Sequence, residues 1–360
     1  MKKLFRTVPA LILATALLGA CTAPDGGAAS AQPPAQPAAN GGTADASPAP
    51  ADPGEVFNLT FAHVVSASHP MGIASTRFAE LLEERTGGRI VVTVFPDSQL
   101  GNDQEVLEQM MLDVIHFNAP LHSVLTSIIP EFEMFDLPYL FYSMDDAYRV
   151  LHGALGDRFK EFLAESNLVS LGYWTGGFKQ LTNNVRPIHS VEDLDGLQMR
   201  VSQSPMLISQ FRAINAGAIS IPFVELYTAL QTGIADGQEN PLSNIVTRRF
   251  YEVQNYITIS NHGFFVYPFF MPAATYDRLP EDLRRIIHEV AQEVAEFQWE
   301  LTAATDDEYL EYLYNAGVNI NYFTEEAMRG FRAATQVTYD EFAESPNGAE
   351  LLEILGRYTY

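Results

Sequence analysis

From Phe57 onward, short runs rich in β-branched and aromatic residues alternate with stretches of helical periodicity. The runs "NLTFAHVV", "RIVVTVFP", "VIHFNAP", "LVSLGYW", "LQMRVS", "AISIPF" and "YITISN" have the length and composition of strands. Between them the spacing predicts helices over Ile73–Thr86, Asp103–Leu112, Met144–Leu151, Pro205–Ala213 and Val224–Thr232. That alternation predicts an α/β architecture built from parallel βαβ units. One segment departs from it. Glu281 to Asn315 keeps helical periodicity without Gly or Pro, far beyond the length of an ordinary helix. At 1.5 Å per residue it would run roughly 50 Å, wider than one small domain, so it predicts a spine crossing two lobes. A chain of 360 residues is long enough for two.

Two helix starts share a pattern. Ser204-Pro205 and Asn240-Pro241 each set a capping residue before a proline, suiting the N-cap and first helical positions. In open α/β sheets, ligands sit at the carboxyl ends of strands, facing electropositive helix N-termini. The pattern therefore predicts a common crevice suited to an anion. The stretch "YTALQTGIADGQENP" brings Gln238, Glu239 and Asn240 to that place, as a turn or as the lip of a site.

Composition narrows the partners. With 21 basic and 45 acidic residues the formal charge is −24, and no basic run is present. This argues against nucleic acid and against electrostatic docking on anionic lipid. The N-terminus is a processing segment. Lys2, Lys3 and Arg6 precede "VPALILATALLGA", an apolar stretch too short to span a bilayer, which ends in "LGAC". That motif resembles a bacterial lipobox, predicting a signal peptide over 1–20 and lipidation of Cys21, the sole cysteine. Residues 22–54 contain no Leu, Ile, Val or aromatic residue. Such a segment cannot bury enough apolar area to order itself, so 21–55 reads as a flexible lipid-anchored spacer reaching roughly 30 Å.

Signs of catalysis are few. There is no Gly-x-Ser-x-Gly elbow, phosphate-cradling loop or His-Glu-x-x-His, and neither metal nor cofactor is expected. In "LQMRVS" strand alternation sets Arg200 opposite Leu197, Met199 and Val201. Taken alone, Arg200 reads as a solvated edge residue, Lys179 as a surface lysine, and His63 as a satisfied core histidine.

"GLQMRVSQSP", "IPFVELYTALQTGIADGQENPLSNI", "GFKQLTNN", "FPDSQLGN" and "FEMFDLPYLF" resemble the extracytoplasmic solute receptors of TRAP transporters. The resemblance extends from Phe57 to the C-terminus. It implies a two-lobed periplasmic-binding-protein fold of venus-flytrap type with a long helix spanning both lobes. Lobe I would comprise 56–177 and about 265–300, and lobe II 178–264 and about 301–360. It implies a receptor that closes on a small carboxylate and delivers it to membrane permease subunits, tethered here, unlike most relatives, by a lipid. By position, it implies that Arg200 clamps a carboxylate, that Asn240 binds the ligand, that Phe223 packs on it and that His63 adds a polar contact. Lys179 stands where many members carry a second arginine, which suggests a second carboxylate, with a four-carbon dicarboxylate as first expectation. Asn118 and Trp174 are further wall candidates. Among receptors, one for a monocarboxylate or an aromatic acid is the alternative; a surface enzyme acting on organic acids and a carboxylate-sensing module are the competing classes.

Overall fold

A computed structural model describes residues 54–356 of the chain; the leader, Cys21, the spacer up to Pro53 and the last four residues lie outside the described residues. Among the described residues ten strands occur in chain order: β1 (Phe57–Ala62), β2 (Ile90–Phe95), β3 (Leu168–Phe178), β4 (Gln180–Asn183), β5 (Gln198–Val201), β6 (Gly217–Ser220), β7 (Gly237–Asn240), β8 (Tyr256–Ile259), β9 (Phe264–Pro272) and β10 (Asn319–Tyr322). They form an α/β protein on two frameworks. In the first, β1 pairs with β2 in parallel and β3 with β9 antiparallel, and the segment at Phe117 and Asn118 bridges β1 to β9. In the second, six strands lie in the order β10-β8-β4-β7-β5-β6.

The sheets are mixed rather than purely parallel, because β4 runs against both β7 and β8. The predicted strand in "VIHFNAP" reduces to two bridging residues. β9 was not predicted at all. Its sequence FFVYPFFMP is buried throughout and carries Pro268 opposite Tyr173. A fully buried strand shows no alternation, and a proline within a run disfavours a central strand.

The helix expected over Glu281–Asn315 spans those same residues. Acidic Glu281 and Asp282 begin its first turn, favourable against the helix dipole. Near its start, Leu283, Ile287, Val290, Ala291 and Val294 pack with Phe61, Phe78 and Phe269 in the core of the first framework. Near its end, Leu313 joins Leu242, Ile245 and Ile257 on the second. The helix is thus apolar toward two different cores. The chain returns once more, because Phe342, Leu351 and Leu355 pack in one core with Leu155 and Phe159.

Two strand connections also cross between the frameworks, β3 to β4 through Lys179 and β8 to β9 through residues 260–263. They run side by side, and the Lys179 backbone N–H donates to the Gly263 carbonyl at 2.8 Å. Gly177, with φ of 84°, lets β3 bend into the first crossing.

Candidate functional site

The ends of the parallel strands converge on a cavity of about 420 Å³ including its mouth. Residues following β1, at the end of β5 and at the end of β7 supply His63, Arg200, Ser202 and Asn240, while Asn118, Phe265 and Tyr267 come from the bridge and β9. Both frameworks contribute walls. Beside it, His69 Nε2 lies 3.1 Å from Ser243 Oγ, and Arg248 donates to the Val64 carbonyl at 2.6 Å, tying the two bodies together.

Arg200 is the cation of this cavity. Its side chain is 4% exposed, so it is no solvated edge residue. Its Nε and Nη2 donate to the Ile221 carbonyl at 2.9 and 2.7 Å. That fixes one edge of the guanidinium and leaves the other edge for a planar two-oxygen acceptor. Burial lowers its pKa to about 10, against the pull of Glu239 and Asp103, which leaves it charged at neutral pH.

Asn240 closes β7 rather than capping a helix. The following helix starts at Leu242 with Pro241 at its N-cap, so the expected capping role is corrected. Its Oδ1 accepts from Asn244 Nδ2 at 2.8 Å, and its Nδ2 donates to Gln238. The polar stretch Gln238-Glu239-Asn240 is a central strand, buried along its length. A strand this polar survives inside because its side chains find partners. Gln238 donates to Thr182 Oγ1, and Glu239 faces Lys179 and His262, each at 2.8 Å.

His63 reaches the wall with both ring nitrogens engaged. Nδ1–H donates to the Val65 carbonyl, and Nε2 lies 3.1 Å from Ser75 Oγ. Burial lowers its pKa to about 4, so the imidazole is neutral. Phe223 and Asn118 line the cavity as well. Five expected residues, His63, Asn118, Arg200, Phe223 and Asn240, thus meet in one place.

Two do not. Lys179 is buried behind the site, with Nζ 2.8 Å from Glu239 Oε1 and 3.7 Å from Asp136 Oδ1. Its network continues through His262 and through His122, which lies 2.9 Å from Asp136. Burial alone would raise the Glu239 carboxyl, but Lys179 and His262 outweigh it and hold it below the usual range. Gly263 fits against this lysine where a Cβ would sit 2.9 Å from Lys179 Cδ. Trp174 is core. Its ring lies against Phe269 and Phe61, with centroids 4.6 and 5.9 Å apart, away from the cavity walls.

Sequence reasoning missed Asp103, Asn244, Phe265 and Tyr267. Asp103 was legible in part, because it opens a helix directly after Asn102, the kind of start expected to face the crevice. Phe265 and Tyr267 belong to the strand that showed no alternation. Among the described residues, no group of three or more His, Cys, Asp or Glu is placed to hold a metal. No helix among them is long and apolar enough to cross a membrane.

Residues 61–345 match the family described as bacterial extracellular solute-binding protein, family 7. The C4-dicarboxylate-binding protein DctB of Bacillus subtilis is 32% identical over 296 residues, covering 82% of this chain and 84% of that protein. A TRAP periplasmic solute-binding protein from Sulfurospirillum deleyianum, solved with bound succinate, aligns at a TM-score of 0.81 with 34% identity, over 85% of this chain and all of that one. A sugar acid binding protein from Advenella mimigardefordensis in complex with galactonate aligns at 0.82 with 30% identity, over 85% of this chain and 99% of that one.

Proposed function

The chain belongs to family 7 of the bacterial extracellular solute-binding proteins, and from that premise we propose that its cavity captures a small organic acid through a clamp centred on Arg200. It is a TRAP-type solute receptor for small organic acids. The observation that supports the clamp is one guanidinium edge pinned to the Ile221 carbonyl while Arg200 lines a cavity shared by both frameworks. A pinned guanidinium loses less rotamer freedom on binding and offers two parallel bonds to a carboxylate.

Asn240 and Asn118 add neutral hydrogen-bonding groups, and Phe223 and Phe265 give apolar walls that exclude water. The walls come from two lobes that part near residues 178 and 264, where the crossings run. Delivery to TRAP permease subunits outside the cytoplasm completes the role, with Cys21 as lipid anchor. Substituting Cys21 with Ser should abolish incorporation of labelled fatty acid; undiminished labelling refutes the anchor.

A thermal-shift and calorimetric screen against organic acids and their uncharged amides tests the receptor reading. At a ligand concentration a hundredfold above Kd, a receptor gains about 2.7 kcal/mol of stability. The acid should remain unchanged over hours. Its consumption supports the enzyme reading, and equal stabilisation by amides and acids refutes a carboxylate clamp.

A further inference from the structure

The charges around the cavity are unequal in a way that bears on its occupant. Among the described residues, Arg200 is the only Lys or Arg lining it. Lys179, expected to meet a second carboxylate, is held by Glu239 and Asp136 instead. Arg248 stands outside the lining, over the Phe223 ring and within reach of Asp103's charge, but its hydrogen bonds go to Asp97 Oδ1 at 3.1 Å and the Val64 carbonyl at 2.6 Å. Neutral groups that both donate and accept, from Asn118, Asn240, Asn244, Ser202 and Tyr267, make up most of the polar wall.

The wall also contains a carboxylate, Asp103. Helix capping does not explain it. Asn102 Oδ1 takes the backbone N–H groups of Gln104 and Glu105, and Glu105 returns to the Asn102 N–H at 2.8 Å, so the capping box is complete without Asp103. An ionised carboxylate only accepts hydrogen bonds. A second ligand carboxylate near it would bring like charges together in a poorly hydrated space with no second cation in the lining. Asp103 takes its own backbone N–H and the attraction of Arg200 and Arg248, and an occupant bearing O–H groups supplies further donors to a carboxylate that faces the cavity.

We infer that the ligand is a hydroxylated monocarboxylate of the sugar-acid class, with Arg200 taking its one carboxylate and Asp103 accepting from its hydroxyls. The inference rests on the clamp reading above and narrows it. Succinate and galactonate both occur in the solved relatives, so kinship leaves both classes open.

Calorimetry on the full chain tests it with acids matched in carbon number: erythronate against succinate, and galactonate against adipate. In at least one pair the hydroxy acid should bind at least ~10-fold tighter than its partner. Asp103→Asn should weaken the hydroxy acid roughly tenfold or more, the scale of a lost charge-assisted bond, and leave the dicarboxylate unchanged or tighter. The melting temperature of ligand-free Asp103→Asn, within a few degrees of the wild type, verifies folding. Equal affinities, preference for the dicarboxylates, binding by neither hydroxy acid, or equal weakening of both classes in the variant overturns the inference. Arg200→Ala separates the two levels. If it abolishes binding of a dicarboxylate that the wild type prefers, the clamp stands and only the hydroxyl assignment falls. If it binds every acid as the wild type does, the clamp falls too.

Discussion

Replacing Arg200 with Ala removes a group that is 4% exposed and doubly bonded to the Ile221 carbonyl. Two consequences separate cleanly. In the ligand-free protein, the Ile221 carbonyl loses its side-chain donors, which costs about 1–3 kcal/mol of stability as an unsatisfied buried acceptor. In the complex, the ligand carboxylate stays in a dry cavity without its cation, the case that costs about 3–5 kcal/mol for a desolvated pair. That converts to a Kd raised roughly 10²- to 10³-fold. Arg200→Lys refines the argument. A single ammonium cannot hold the Ile221 carbonyl through two donors and also meet both oxygens of a carboxylate, so it should recover only part of the loss. Isothermal titration with the tightest acid of the screen measures both variants, with urea unfolding as the check on the ligand-free state. An Ala variant within threefold of the wild-type Kd would refute the reasoning.

The network behind the site makes a separate prediction. Glu239→Gln leaves the Lys179 ammonium buried without its carboxylate partner at 2.8 Å, for a loss of roughly 3–5 kcal/mol in urea unfolding. Because the Glu239 carboxyl is held low, its contribution is present above the unfolded carboxylate pKa, about 4.3, and is lost as pH falls below it. The variant should therefore lose less stability than the wild type on acidification below pH ~4.5; parallel curves would contradict this. Asp306, on the long helix, predicts the reverse sign. Burial, aided by Asp307, raises its carboxyl to about 7, and its Oδ1 is buried without a hydrogen-bond partner. Its contribution is fully present below the unfolded pKa and is lost as pH rises through 7. Asp306→Asn should raise the melting temperature more at pH 8 than at pH 5; an equal shift at both refutes the assignment.

How far the letters carried depended on whether a pattern was local. The helix Glu281–Asn315 was legible to the residue, since nothing in its 35 positions breaks the period. So were Met144–Leu151 and Pro205–Ala213. β7 and β9 were not, for opposite reasons. Gln238, Glu239 and Asn240 look like a turn until Thr182, Lys179, His262 and Asn244 supply their partners, and those partners are up to 60 residues away. β9 looks like no regular element because both of its faces are buried. Resemblance singled out Arg200, Asn240, Phe223, His63 and Asn118, which line one cavity. It could not show that Lys179 turns from the cavity, because that depends on Glu239 and Asp136 meeting it through the fold. Asp103 went unremarked as one acid among 45.

The return of the chain to its first framework sets the order in which the protein can assemble. β3 finds its strand partner in β9, the β1–β2 pair reaches β9 through the bridging residues Phe117 and Asn118, and the core around Leu155 and Phe159 waits for Phe342, Leu351 and Leu355. During synthesis, then, the early half emerges without the neighbours that cover its aromatic side chains. Closing such distant pairs is slow, and the exposed strands meanwhile invite aggregation. A nascent chain halted anywhere before residue 342 is an incomplete body rather than a small finished one, and truncation from the C-terminal end removes packing from the half of the protein made first.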